Sequence, residues 1–185
     1  EVELDNRGKN GRRSDQLLTL LQKGHYDEEL PQADFMTMTL GGNDVMKVVK
    51  SDLFSLKKEM FDKELMHFAQ RYRDIVAEIR IRNSEAPILL IGFYNPFSII
   101  TDEYTPFETI VNEWNDTIQQ IATDDSNACF VPISDLFVTN AGMVYHTDFF
   151  HPSASGYEQM TERIIEYMKL CDIEEMSEGR IGIEE

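Results

Sequence analysis

The stretch Ile88-Leu89-Leu90-Ile91-Gly92-Phe93 constrains the fold more than any other part of the chain. Opened by Pro87, it is a continuous apolar run with no polar residue alternating through it. A strand with one face in water alternates apolar and polar residues. A run without alternation reads as a strand buried on both faces, and such a strand needs helices above and below it. The flanking sequence supplies them. From Phe54 through Arg82, apolar residues recur at helical spacing (Phe61, Leu65, Phe68, Tyr72, Ile75, Val76, Ile79) until Asn83-Ser84 ends the pattern. Beyond a loop from Tyr94, the segment from Pro106 to Ala122 turns Ile110, Trp114, Ile118 and Ile121 to a second common face.

The alternation of strand and helix extends in both directions. Ala33 to Leu40 (ADFMTMTL) reads as a short strand ending in Gly41-Gly42-Asn43-Asp44, and Ala128 to Ile133 as another buried strand. Val2-Glu3-Leu4 alternates like a strand and runs into the turn-rich Asn6 to Gly11. Ser14 is then the expected cap of a helix carrying Leu17, Leu18, Leu20 and Leu21. Ser155 with Glu158 makes a capping box for a last helix containing Ile164, Ile165 and Met168. Strands alternating with helices imply an α/β fold, a parallel sheet covered on both faces. One domain is expected over residues 1–172. An acidic tail, 173–185, is expected to fray or to pair as a strand at Arg180 to Ile183.

Charge excludes one class of partner. Seventeen basic residues against 34 acidic ones leave a net charge of −17, which repels phosphate backbones, so no nucleic-acid partner is expected. Cys129 and Cys171 fit no zinc spacing and no disulfide framework, and read as two buried thiols.

In parallel α/β folds, sites gather in loops beyond the carboxyl ends of strands. Three segments with chemical potential fall there: Gly8 to Gly11, Gly41 to Asp44, and Asp148 to His151. The glycine pair lets the backbone turn sharply and approach a ligand, with the Asn43 amide directed into the site. The same four residues serve equally as an Asn turn with Asp44 as a cap or loop residue. Gly11, ahead of a helix, offers a backbone N–H where the helix dipole favours negative charge, or is simply a turn. Together Gly11 and Asn43 make a pair of oxyanion donors. Asp148, three residues before His151, can fix one ring nitrogen and leave the other as a general base, or is simply a surface Asp with His151 solvated at a helix start. His146, Asp148 and His151 also spell a pattern with metal-ligating residue types, so a metal-dependent hydrolase is an alternative; no other cluster supports it, and no metal or cofactor is expected.

Gly11 in NRGKNGRRS, Asn43 in GGND and Asp148-x-x-His151-Pro152 resemble three of the four blocks of the SGNH hydrolases, the GDSL-type lipases and esterases. The resemblance runs from Val2 to Leu170. It implies a three-layer α/β/α flavodoxin-like fold and hydrolysis of small or lipid-like esters through an acyl-enzyme. Gly11 and Asn43 would form the oxyanion hole, His151 would be the base and Asp148 its orienter. Tyr94 to Phe97 and Phe149-Phe150 would line an acyl pocket or serve as packing.

One block is missing. The family's Gly-Asp-Ser, which brings the nucleophile, occurs nowhere in these residues. The chain is therefore expected to be the C-terminal portion of a longer hydrolase, inactive alone, with the serine upstream of Glu1. In this family the first strand lies between the second and third. Its absence would leave a slot to be closed by sheet collapse, by residues 180–183, or by strand exchange in a homo-oligomer. Relatives of this branch often carry an N-terminal membrane anchor, so an extracytoplasmic setting is an expectation of the resemblance. A non-catalytic binding module that kept the cleft is the second reading.

Overall fold

The computed structural model describes residues 2–51, 55–96, 106–139 and 151–183. Its elements are α1 (Ser14–Gln22), a 3-10 turn (Leu30–Gln32), β1 (Met36–Thr39), α2 (Gly42–Ser51), α3 (Lys58–Arg82) and β2 (Ile88–Ile91). They continue as α4 (Pro106–Asp124), β3 (Ala128–Val131), α5 (Ser134–Thr139), α6 (Ala154–Leu170) and α7 (Ile173–Met176). The three strands form one parallel sheet in the order β1-β2-β3, with Met36 opposite Ile88 and Ile88 opposite Ala128.

The unalternating run behaves as its composition demands. All four residues of β2 are buried. Ile88 and Leu90 enter a core with α1, α2, α3 and α4, where Phe68 stacks on Trp114 at 4.6 Å between ring centres. Leu89 and Ile91 enter a second core with Cys129, Val131, Phe137 and the apolar face of α6. Two cores on opposite faces of one sheet make a three-layer α/β/α arrangement, as expected. At the entry side of the strands, Arg80 of α3 ties the layers together. Its guanidinium donates to both carboxylate oxygens of Asp125 at 2.8 Å, to the Ala86 carbonyl at 2.7 Å and to the Asn127 carbonyl at 2.8 Å.

Several expectations are corrected. Val2-Glu3-Leu4 is no strand: Val2 and Leu4 are 91% and 83% exposed and pair with nothing in the sheet. Three residues alternate too briefly to bury a face. Among the described residues no strand pairs with the outer edge of β1, and Arg180 to Ile183 does not fill it. Where fraying was expected, Ile173–Met176 instead form α7, and Ile173, Met176, Ile181 and Ile183 pack on the second core. The two cysteines are not thiols but a disulfide, Cys129–Cys171, with Cα atoms 6.4 Å apart. Ser153, not Ser155, caps α6, its hydroxyl accepting from the Gly156 N–H at 3.2 Å.

Candidate active site

Because the strands are parallel, the loops after β1, β2 and β3 open at one edge of the sheet. At the end of β1 the chain turns at Gly41, whose φ is +127°. A Cβ there would lie 2.8 Å from Phe93 Cε1 and 3.1 Å from Phe68 Cζ, so both the backbone and the space demand glycine. The turn is tight enough for α2 to begin at once. The N–H groups of Asp44 and Val45 both donate to the Gly41 carbonyl at 3.0 Å. Asn43 stands exposed in the first turn of this helix, a placement its sequence context does not announce.

The Asn43 side chain meets the Gly11 segment. Its Nδ2 donates to the Arg12 carbonyl at 3.1 Å, which commits one amide N–H and leaves the other. Gly11 itself has φ +73°, a conformation open to glycine, and is exposed. Among the described residues its N–H has no hydrogen-bond partner. The two expected oxyanion donors are therefore neighbours through the Arg12 peptide.

Behind them lies a buried polar knot. Asp44 is 1% exposed, and its carboxylate accepts from the Ser14 N–H at 3.0 Å and from the Ser14 hydroxyl at 2.5 Å. It caps α1 from another helix: Arg13, at the N-cap position, has no side-chain cap, and Asp44 takes the orphan N–H instead. Ser14 is thus not the cap expected of it but the first helical residue. Its buried hydroxyl donates to Asp44 and accepts from Arg71 Nε at 2.7 Å, which removes it as an attacking group. Arg71 Nη2 also donates to Asp44 at 3.2 Å and to Glu64 at 2.6 Å. Burial pushes the Asp44 carboxyl above its ordinary value, against the Ser14 hydrogen bonds and the Arg71 charge, which pull it down.

The strand β2 exit is equally fixed. Asn115 of α4 accepts from the Phe93 N–H at 3.1 Å and donates to the Phe93 carbonyl at 2.8 Å. Asn95 is buried and donates to Glu108, and Tyr94 stacks on Phe137 at 3.9 Å, so both act as packing. Sequence reasoning misread Ser14 as a cap and missed Arg71 and Asn115. The signal for the last two was a polar residue set within an apolar helical face, Arg71 beside Phe68 and Asn115 beside Trp114.

His151 reaches this edge just ahead of α6, two residues before its Ser153 cap. Arg163 Nη1 donates to the Pro132 carbonyl just past the end of β3, while Cys171, about two turns onward, is bonded to Cys129 in the first half of β3. The helix thus runs antiparallel to β3, and its N-terminal end projects beyond the strands' carboxyl edge. There His151 stands exposed ahead of the buried Pro152. Asp148 lies outside the described residues, as do His146, Phe97 and Phe149-Phe150.

Known proteins resemble this chain in sequence and in fold. The chain is 30% identical over 170 residues to the uncharacterized protein YpmR of Bacillus subtilis (strain 168), covering 91% of this chain and 67% of that protein. It is 23% identical over 171 residues to the spore germination lipase LipC of Bacillus licheniformis, covering 89% and 77%. Its fold matches the lipase Lip_vut3 from a goat rumen metagenome with a TM-score of 0.71 at 20% identity, over 82% of this chain and 72% of that one. The GDSL-like Lipase/Acylhydrolase family description fits residues 1–159, from the Gly11 block through His151 and into α6. A parallel three-layer sheet with its Gly and Asn blocks side by side at the carboxyl edge thus finds its relatives, and the chain belongs to the GDSL-like lipase/acylhydrolase family.

Proposed function

We propose that the chain forms the oxyanion-and-base part of a serine-dependent acyl ester hydrolase. The observation that carries this reading is the hydrogen bond from Asn43 Nδ2 to the Arg12 carbonyl, which holds a side-chain amide donor next to the Gly11 N–H. A serine outside these 185 residues attacks the ester carbonyl while one ring nitrogen of His151 takes its proton. Asp148 accepts from the other ring nitrogen and stabilises the imidazolium. As the carbonyl oxygen gains charge, it accepts from the Gly11 N–H and the remaining Asn43 N–H, donors already oriented before the reaction begins. His151 then protonates the leaving alkoxide, and water repeats the cycle on the acyl-enzyme. The substrates are small or lipid-like esters, consistent with the lipase names of LipC and Lip_vut3.

The test is hydrolysis of short- and long-chain p-nitrophenyl esters by the protein as encoded. Asn43→Ala is expected to lower kcat by roughly 10²–10³-fold, and His151→Ala by at least about 10²–10⁴-fold. The 185 residues alone are expected to turn over no ester. Full activity in both variants would overturn this assignment of the site, and absence of ester turnover in the wild-type protein as encoded would favour a binding module that keeps the cleft without the chemistry.

A further inference from the structure

We infer that Arg71 is a positioning residue for the oxyanion hole, setting from the middle of α3 the separation between Gly11 and Asn43; the inference rests on the acyl-transfer reading above. The two donors sit on segments that the sheet does not join. Residues 2–13, which carry Gly11, contain no helix or strand. Asn43 belongs to α2. Among the described residues no backbone hydrogen bond joins the two segments, and their polar links are made by side chains.

The knot beneath them fixes one segment against the other. Ser14 follows Gly11 by three residues and Asp44 follows Asn43 by one, and these two are bonded to each other twice, N–H and hydroxyl to carboxylate. Arg71 bridges both partners, with Nε on the Ser14 hydroxyl and Nη2 on Asp44. Glu64, on the same helix, accepts from Nη2 and keeps the guanidinium from turning outward. The Ser14 hydroxyl has one proton, and Arg71 occupies its acceptor side, so the proton can only point at Asp44. One rigid fork thereby dictates how α1 meets α2.

Removing the fork leaves the Asp44 carboxylate 1% exposed without a counter-charge. It must then protonate or move toward water, and either change shifts the start of α1 relative to α2. A displacement on the order of 1 Å between oriented donors costs about 10²-fold in rate. Arg71 touches neither substrate nor reacting atoms in this scheme; its effect passes wholly through Gly11 and Asn43.

Steady-state ester hydrolysis by the protein as encoded tests this with Arg71→Met, Arg71→Lys, Asn43→Ala and the Asn43→Ala/Arg71→Met double variant. Arg71→Met is expected to lower kcat by about 10–100-fold with KM within about twofold, and Arg71→Lys to recover part of that loss. The double variant is expected to fall no lower than Asn43→Ala alone, because both changes disable the same donor pair. If circular dichroism shows Arg71→Met unfolded, Ser14→Ala takes its place with the same expected readouts. Wild-type kcat in Arg71→Met, a loss confined to KM, or losses that multiply in the double variant would each overturn the inference. Wild-type kcat in Asn43→Ala would instead overturn the oxyanion reading on which it rests.

Discussion

Two glycines near the site show how differently the same residue type is constrained. Gly11 has φ +73° with no atom within 4 Å of the place a Cβ would take, so only backbone strain opposes a side chain there. Gly41 has φ +127°, and Phe93 and Phe68 already crowd the place its Cβ would take. Gly11→Ala is therefore expected to destabilise by about 1–2 kcal/mol, and Gly41→Ala by about 3 kcal/mol or more, because strain and overpacking of the Phe68–Trp114 core combine. Urea midpoints of the two variants measure the contrast. At this scale the turn at Gly41 was legible in sequence because a sharp turn at a strand end is a local demand on backbone. Ser14 was misread for the complementary reason. Serine ahead of a leucine-rich helix looks like a cap, and only a partner 30 positions away, Asp44, shows that its hydroxyl is spent in the interior.

Among the elements, α6 holds its site end and its far end by separate means. Ser153 caps the end near His151, Arg163 anchors the middle to Pro132 and Asp135, and the Cys129–Cys171 disulfide staples the last turn. The bond closes a loop with a sequence separation of 42, which in the chain-entropy view contributes about 4 kcal/mol. Cys171→Ser is expected to lower Tm by about 10 °C. Ester turnover by the protein as encoded should stay near wild type below that temperature, since the staple lies roughly 25 Å along the helix from His151. Scanning calorimetry beside a turnover assay checks both halves. The periodicity of α6 was visible in the sequence, but the disulfide was not. Cysteines 42 positions apart carry no spacing signal, and the antiparallel run of α6 over β3 alone brings them together.

Across the whole molecule, stability depends on what joins the layers, and the Arg80–Asp125 pair is the clearest joint. Burial pushes the Asp125 carboxyl up, but the Arg80 fork and the Asn127 N–H outweigh it and hold it below the ordinary carboxylate value. A carboxyl lowered on folding contributes stability that is present above its unfolded value and lost as pH falls through its folded one. Urea stability of the wild type should therefore drop as pH falls below about 4. In Arg80→Met, already weaker by about 2 kcal/mol at neutral pH, that part of the acid loss should be missing. The three strands and the long helices between them, the parallel sheet buried between helix layers, and the placement of the Gly, Asn and His blocks at its carboxyl edge were written into the chain order, whereas the strand expected at Val2 to Leu4 and the frayed tail were not found. Each of the features found follows from periodicity or local backbone chemistry, which neighbouring residues alone can encode. Folding in three dimensions added the rest: Asp44 caps α1, Arg71 locks Ser14 to it, two cysteines bond, and residues 2–9 stay outside the sheet. Those outcomes depend on contacts between residues far apart in the chain, whose energy exists only once the layers have closed on one another.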